Sequence, residues 1–184
     1  MRIKIIVVFL LIGGFCYAQN SQLAYSYFRK GEYKKAANLY EQLHKKNKIR
    51  RDYFKKLLSC YQLTEDFEKA SNLLDLQMET FPTQPHLNIE LGYNYQLQNQ
   101  REKATPYYEE ALLAIEDNPN NGYVIGTTFK DNHLLDYALK AYLRAMELKP
   151  TLNYNVYVAS IYGCLLYTSP SPRDQRGSRM PSSA

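Results

Sequence analysis

The sequence predicts an all-α fold, a right-handed α-solenoid built from stacked helix-turn-helix repeats. Four alanines stand 34 residues apart, and an aromatic residue precedes each of them by nine residues. The alanines are Ala36, Ala70, Ala104 and Ala138, and the aromatic residues are Tyr27, Tyr61, Tyr95 and Phe129. A unit of this length holds two short helices and two turns. Since one helical hairpin cannot bury its apolar side alone, successive units are expected to stack.

The boundaries of the repeats follow from apolar spacing and from helix-stop signals. In the first repeat the apolar residues fall three and four positions apart on each side of Gly31, which predicts two amphipathic helices joined by a turn at that glycine. Segments rich in Pro, Asn and Gly separate one hairpin from the next. The predicted repeats are residues 20–50, 51–84, 85–118 and 119–152, with the start of a fifth at 153–163.

Two segments fit the repeat pattern less well. Val, Ile, Thr and Gly collect between Gly122 and Phe129, so the first helix of the fourth repeat has low intrinsic helix propensity. Pro106 falls inside the second helix of the third repeat, where it lacks the N–H that would bond to the carbonyl of Glu102. We therefore expect that helix either to kink or to begin late, with Thr105 as N-cap and Pro106 as its first residue.

These columns resemble the signature of the tetratricopeptide repeat. Matching residues occur in the third repeat (Leu91, Gly92, Tyr95, Ala104, Tyr108 and Ala111), in the first (Gly31, Tyr33, Ala36 and Tyr40), and at the closing prolines Pro82 and Pro150. The resemblance implies a protein-binding or peptide-binding concave surface lined by the first helices. The residues that it places on or near that surface are Tyr25, Phe28, Tyr93, Gln96, Tyr123 and Lys130.

The N-terminus has the layout of a secretory signal peptide. Arg2 and Lys4 precede the apolar run from Ile5 to Phe15, and small residues Cys16 and Ala18 stand before Gln19. The apolar run is shorter than the roughly 20 residues that span a bilayer. Residues 1–18 are therefore predicted to be a cleaved signal, so the mature protein would be exported to the bacterial periplasm or the extracellular space without a stable membrane span.

The C-terminus abandons the repeat pattern. Residues 164–184 are rich in Ser, Pro and Arg, a composition that does not form a packed core. LLYTSPSPRD and SRMPSSA within this segment closely resemble translated sequencing-adapter DNA, so the segment is predicted to be non-native; a genuine disordered tail is the alternative. The fifth repeat would then be uncapped, and we expect self-association through it.

Charge and cysteine content narrow the classes of partner. Five of the 23 Lys and Arg residues and one of the 18 Asp and Glu residues lie outside residues 19–163, so the formal net charge falls from +5 for the whole chain to +1 for that range. A nearly neutral repeat region does not indicate nucleic acid as a partner. Cys60 is the single cysteine of this range, so no internal disulfide can form there.

No catalytic, cofactor-binding or metal-binding motif is recognised in the sequence, and we expect neither enzymatic activity nor a cofactor. The three histidines, His44, His86 and His133, have no metal-ligand spacing and are expected at the surface. A basic stretch from Lys45 to Lys56 is interpreted as a solvated turn between repeats, with an electrostatic patch for an acidic partner as the alternative.

Two functions are compatible with this sequence. The first is an exported scaffold of the bacterial cell envelope that holds a protein or peptide in its groove. The second is the N-terminal recognition module of a longer enzyme or sensor, such as a peptidase or kinase. Reading the intact gene downstream of Gly163 would separate them, because further repeats favour the scaffold and a catalytic domain favours the module.

Overall fold

The computed structural model describes residues 20–168, and within this range the chain forms helices and no strands. The first helix, α1, is described over residues 20–29. The helices that follow are α2 (Tyr33–Lys46), α3 (Arg51–Leu63), α4 (Phe67–Thr80), α5 (His86–Leu97), α6 (Arg101–Asp117), α7 (Asn121–Asp131), α8 (Leu135–Leu148) and α9 (Asn155–Thr168). The predicted class, an all-α fold of the solenoid type made from helix-turn-helix repeats, is confirmed.

The chain divides into two compact units. Among the described residues, the first comprises those up to Thr83 together with Asn94–Arg101, and the second comprises Gln84–Tyr93 and those from Glu102 to Thr168. In the first unit α3 packs against both α2 and α4, and in the second unit α8 packs against both α7 and α9. Helix α5 therefore supplies residues to both units.

The turn inside each helix pair has the same conformation in all four described pairs. Its middle residue has a positive φ, between 58° and 76°, and the residue after it donates its backbone N–H to the carbonyl oxygen five positions back, over 2.8 to 3.0 Å. This is the Schellman motif, in which a left-handed residue ends a helix and its neighbours satisfy the last carbonyl groups. The left-handed residues are Gly31, Glu65, Asn99 and His133, and the accepting carbonyls belong to Tyr27, Tyr61, Tyr95 and Phe129.

The second helix of each pair starts from the residue that closes this motif. The backbone N–H of Ala36 donates to the carbonyl of Glu32 over 3.0 Å, and that of Ala138 donates to the carbonyl of Leu134 over 2.9 Å. The closing residue thus donates its backbone N–H to the carbonyl of the aromatic residue before it. Its own carbonyl accepts the N–H of the alanine that follows. The spacing of nine residues between the two columns follows from these two bonds. The closing residue lies five positions after the aromatic residue and four positions before the alanine.

The alanine column lies in the core of the repeats. Each of the four alanines is at most 1% exposed, and a large residue four positions later is buried as well; these residues are Tyr40, Leu74, Tyr108 and Tyr142. Glycines on the first helices receive two of the tyrosine rings. A Cβ atom at Gly92 would lie 2.6 Å from the ring of Tyr108, and one at Gly126 would lie 2.5 Å from that of Tyr142.

Two sequence expectations about helices are corrected or resolved by the structure. Helix α6 begins at Arg101, so the late start at Pro106 is wrong; Pro106 is the sixth residue of the helix. Helix α7 forms despite its low propensity, because it buries Ile125 and Phe129 and packs along α8. Tertiary burial outweighs intrinsic propensity in a helix of this kind.

The two ends of the chain lie partly outside the described residues. The predicted signal peptide, residues 1–18, is outside them, as are residues 169–184. Helix α9 continues to Thr168, so the first five residues of the predicted tail are helical; the foreign origin of that tail stays a prediction. Within residues 20–168, no helix has both the length and the apolar character needed to cross a membrane.

Candidate functional site

In the first unit, the predicted surface residues Tyr25 and Phe28 meet a lysine from the next first helix. The Lys56 Nζ atom of α3 lies 4.0 Å from the centroid of the Phe28 ring and 5.9 Å from that of Tyr25. The ring of Phe28 also packs edge-on against Tyr33, at 5.4 Å between centroids. We call Tyr25, Phe28 and Lys56 the Lys56 site.

The Lys56 site combines apolar area with a fixed positive charge. Tyr25 is 49% exposed, while Phe28 and Lys56 are half-buried. The negative face of an aromatic ring attracts an ammonium group within about 6 Å of its centroid, so the two rings restrain the lysine head. An incoming group would therefore find a tyrosine ring beside an ammonium that is already held in place.

In the second unit, the predicted residues Tyr123 and Lys130 lie at a group of tyrosines. The ring of Tyr157 on α9 is 5.5 Å from that of Tyr123, and Lys130 Nζ is 5.8 Å from the centroid of Tyr157. Tyr142 stacks on Tyr157 at 5.4 Å, and Tyr154 packs against both. We call Tyr123, Tyr142, Tyr154, Tyr157 and Lys130 the tyrosine cluster.

The hydroxyl groups of the tyrosine cluster are in contact with one another or with neighbours. A hydrogen bond with Tyr123 raises the pKa of Tyr157 above its usual value, and burial raises that of Tyr142. The Tyr142 hydroxyl also hydrogen-bonds Thr127 Oγ1 at 3.0 Å. The raised pKa values keep the hydroxyl groups of Tyr142 and Tyr157 protonated near neutral pH, so these two residues contribute no charge, and the charge of the cluster comes from Lys130.

The third predicted pair, Tyr93 and Gln96 on α5, does not form a site of the kind seen at Lys56 or at the tyrosine cluster. Tyr93 belongs to the second unit and Gln96 to the first. Beside Tyr93 lies Glu90, a carboxylate that is only 6% exposed and accepts a hydrogen bond from Asn132 Nδ2 at 3.2 Å. Burial, followed by the negative charge of Glu90, raises the pKa of Tyr93. This position is thus acidic, unlike the Lys56 site.

Sequence reasoning missed the partners that complete the two sites. Lys56 lies in the basic stretch that the sequence predicts to be a solvated turn, and Tyr157 lies in the predicted fifth repeat, to which the sequence assigns no binding residue. The repeat period carries a signal for one of them, since Tyr157 stands 34 residues after Tyr123. No spacing rule identifies Lys56, because its contact depends on how α1 and α3 lie side by side.

Two of the three histidine expectations are wrong. His44 and His86 are each only 7% exposed, whereas His133 is exposed, at the left-handed position of a turn. Between residues 20 and 168, no group of three or more His, Cys, Asp or Glu residues is placed to hold a metal ion. Burial raises the pKa of the Cys60 thiol to about 11, so this thiol is protonated and unreactive near neutral pH.

A polar cleft of about 560 Å³ lies in the first unit among α2, α3 and α4. Tyr61 donates its hydroxyl to Glu41 Oε1 over 2.6 Å inside it, and Lys69 pairs with Asp66 at 2.9 Å. The hydrogen bond to Lys69 lowers the pKa of Asp66. Since these charges are already paired with each other, the cleft is a weaker candidate than the Lys56 site.

The described helices form helix-turn-helix repeats. No protein-family model matches the chain, and no curated protein matches it. Among solved structures, the chain is 18% identical to a MamA protein, covering 74% of this chain and 75% of that one with a TM-score of 0.45. It is 16% identical to BtubC from P. vanneervenii (91% and 83% covered, TM-score 0.46) and 21% identical to a thermophilic TPR protein of Thermus thermophilus (79% and 98% covered, TM-score 0.35).

Proposed function

We propose that this protein is a non-catalytic scaffold that binds a peptide segment of another protein in the bacterial cell envelope. The observation that supports it is the Lys56 site, where two first helices present an exposed tyrosine ring beside a restrained ammonium group. The chemistry of this site fits a segment with a carboxylate next to an apolar side chain. Lys130 and Tyr157 offer the same pair of groups in the second unit.

Physical arguments favour a protein ligand at these residues. Tyrosine gives a large contact area at low cost in side-chain entropy, and its hydroxyl group finds polar partners at an interface. A lysine whose head is held against rings loses less freedom on binding than a lysine that is fully solvated. Both features raise affinity for a peptide, and neither supplies a nucleophile or a general base.

The binding proposal is tested with a random peptide library displayed on phage and selected on the full chain. We expect enriched peptides to share an Asp, a Glu or a free C-terminus beside an apolar residue. The affinity of one such peptide is then measured by isothermal titration calorimetry on the wild type and on Lys56→Met, which keeps the aliphatic stem against the rings and removes the charge. We expect binding about fivefold weaker, or ~1 kcal/mol.

Lys45→Met is the matched control, because Lys45 is exposed in the last turn of α2 and lies in the same basic stretch. It should leave the affinity unchanged. If both variants lost the same affinity, the loss would come from the change in net charge and not from the Lys56 site. Selected peptides without any acidic group would contradict the proposed ligand class.

The envelope location is tested independently. The full chain, expressed in a bacterium with a periplasm, should appear in the periplasmic fraction with Gln19 as its first residue when measured by mass spectrometry. An intact Met1 in the cytosolic fraction would contradict the export proposal and leave the peptide-binding proposal standing.

A further inference from the structure

The connection between α2 and α3 carries a concentration of positive charge. Five of the seven residues from Lys45 to Arg51 are Lys or Arg, and none of the seven is acidic. All seven are exposed. We call residues 45–51 the basic turn. It lies entirely within the first unit, at the end where α2 stops and α3 begins.

The backbone places an apolar side chain at the corner of the basic turn. The N–H group of Arg50 donates to the carbonyl of Asn47 over 3.3 Å, which closes a four-residue turn with Lys48 and Ile49 at its two central positions. Ile49 is 83% exposed, more than any other large apolar side chain that the structure describes. The turn thus presents an exposed isoleucine between basic side chains.

The other three connections between helix pairs lack this pattern. Residues 81–85 and 118–120 contain no Lys or Arg, and residues 149–154 contain only Lys149. The Nζ atom of Lys149 donates to Asn120 Oδ1 over 3.0 Å. Since three connections form with one basic residue among them, the architecture of the repeat does not require the charge of the basic turn.

Helix stability accounts for only part of this charge. Lys45 and Lys46 lie in the last turn of α2, where the helix dipole favours a cation. Arg50 is the N-cap of α3 and Arg51 is its first residue, and at this end of a helix the dipole favours an anion. The two arginines are therefore unfavourable for α3, and a negatively charged ligand would compensate for them.

An anionic membrane surface fits the basic turn better than an acidic protein or a nucleic acid does. Its negative charge is spread over a plane, so lysine and arginine side chains are attracted to it without adopting one fixed geometry. The boundary between its head groups and acyl chains accepts an exposed apolar side chain. No residue from 45 to 51 is aromatic, whereas protein interfaces and single-stranded nucleic acid sites rely on aromatic side chains.

We propose that the basic turn binds the surface of a membrane that contains anionic phospholipids. Its basic side chains contact the lipid phosphate groups, and Ile49 enters the boundary between head groups and acyl chains. The protein is peripheral to the membrane in this arrangement. The basic turn does not include Lys56, so this inference goes beyond the peptide-binding proposal and does not depend on it.

Binding is measured by flotation of the full chain with vesicles of two compositions, phosphatidylcholine alone and an equal mixture of phosphatidylcholine with phosphatidylglycerol. We expect tighter binding to the anionic vesicles, and ~0.5 M NaCl should weaken it because salt screens exposed charges. Residues 1–18 are present in every protein compared, so a difference between variants reports on the substituted residue.

Lys48→Glu tests the charge of the turn. It should weaken binding to the anionic vesicles at least tenfold, because one basic residue near such a surface contributes about fivefold and the new carboxylate is repelled. Lys30→Glu is the matched control, since it changes the net charge equally at an exposed position before α2. Helix α2 has 14 residues and is about 21 Å long, so this control should bind like the wild type.

Ile49→Ser tests the apolar contact at constant charge. It should weaken binding to the anionic vesicles about fivefold, because the isoleucine side chain no longer leaves water. Leu113→Ser, at a side chain of α6 that is 65% exposed, is the matched control and should leave binding unchanged. Circular dichroism should show the same helical content in all of these variants.

Losses confined to Lys48→Glu and Ile49→Ser support the proposal. Equal binding of the wild type to neutral and anionic vesicles would overturn it, as would equal losses in Lys48→Glu and Lys30→Glu. An Ile49→Ser variant that binds like the wild type would also overturn it, since a purely electrostatic surface would fit an acidic protein or a nucleic acid.

Discussion

At the scale of single residues, the left-handed position of the turn has a different occupant in every repeat. Gly31 adopts positive φ without cost, whereas Glu65, Asn99 and His133 carry a Cβ atom there. A left-handed conformation costs most residues about 1–2 kcal/mol, and asparagine less. The backbone is therefore strained at the three non-glycine residues, and the packing of the two flanking helices compensates for this strain.

Replacing Glu65 with glycine is expected to stabilise the first unit. The gain should be about 0.5–1 kcal/mol, because relief of the left-handed strain exceeds the extra chain entropy of glycine. Urea unfolding followed by circular dichroism measures it. Glu68→Gly, the same change at the second residue of α4, is the control and should lower stability, because glycine is a poor helix former and an acidic residue is favourable in the first turn of a helix. A loss of stability in Glu65→Gly would contradict the assignment of strain.

His44 is the residue whose protonation should affect folding. It is buried at the end of α2, its ring lies 6.1 Å from that of Phe54, and its Nδ1 atom has no hydrogen-bond partner among the described residues. Burial, followed by the positive charge of Lys48, lowers its pKa below the usual 6.5. The folded state thus favours neutral His44, while the unfolded chain takes up the proton more readily.

The sign of the pH effect follows from this difference. Stability contributed by neutral His44 is complete above about pH 6.5 and is lost as pH falls from there toward the lower folded-state pKa, by about 1.4 kcal/mol for each unit of separation. Urea midpoints of the wild type should therefore fall between pH 7 and pH 5 more steeply than those of His44→Phe. Parallel slopes for the two proteins would contradict the prediction.

At the scale of helices, the close approach of first and second helices depends on the lack of a side chain at Gly92, Gly122 and Gly126. A methyl group at Gly126 would push against the Tyr142 ring, which is fully buried and also bonds Thr127. The ring cannot move outward without breaking its stack on Tyr157. The α7–α8 pair is thus closely packed, and the glycine is a packing requirement.

Gly126→Ala is expected to destabilise the protein by about 1–3 kcal/mol, the usual cost of overpacking a core. Thermal unfolding by calorimetry measures it. Gly163→Ala is the control, because nothing lies within 4 Å of a Cβ atom there and alanine favours a helix by about 1 kcal/mol. The two identical changes should therefore shift the melting temperature in opposite directions, and a shift of the same sign would contradict this account.

The sequence predicts helices more completely than it predicts the candidate site. The alanine column locates every helix pair because it lies in the core, and core positions recur with the repeat. Turn residues such as Glu65 and His133 escape prediction, since backbone hydrogen bonds and not side-chain type hold them in place. Lys56 escapes it because an interhelical contact between a lysine and two rings leaves no periodic trace in the sequence.

At the scale of the whole molecule, helix α5 contributes residues to both compact units. Its C-terminal part belongs to the first unit, where the buried Asn94 Nδ2 group donates to the carbonyl of Phe67 over 3.1 Å and to Ser71 Oγ over 3.0 Å. These bonds join α5 to the first turns of α4. A polar side chain at a core position is thus used to connect helices.

Asn94→Ala is expected to destabilise the first unit by about 1–3 kcal/mol, because the part-buried carbonyl of Phe67 and hydroxyl of Ser71 lose their donor. Hydrogen exchange measured by mass spectrometry should show faster exchange in peptides from α4. Asn121→Ala, which removes a single bond to the carbonyl of Ala114 in the second unit, should leave the exchange of α4 unchanged. Unchanged exchange of α4 in Asn94→Ala would show that the two bonds contribute little.

The constant turn within each helix pair determines where the chain tolerates added sequence. The four turns inside pairs each have three residues, whereas the connections between pairs have four, five, three and six residues. An insertion in a turn inside a pair would break the backbone hydrogen bonds that join the first helix to the second. Epitope tags, protease sites or fluorophore-bearing cysteines therefore belong in connections such as residues 47–50 and 149–153, which stop short of the buried Tyr154. Natural insertions and deletions should also be tolerated best in these connections.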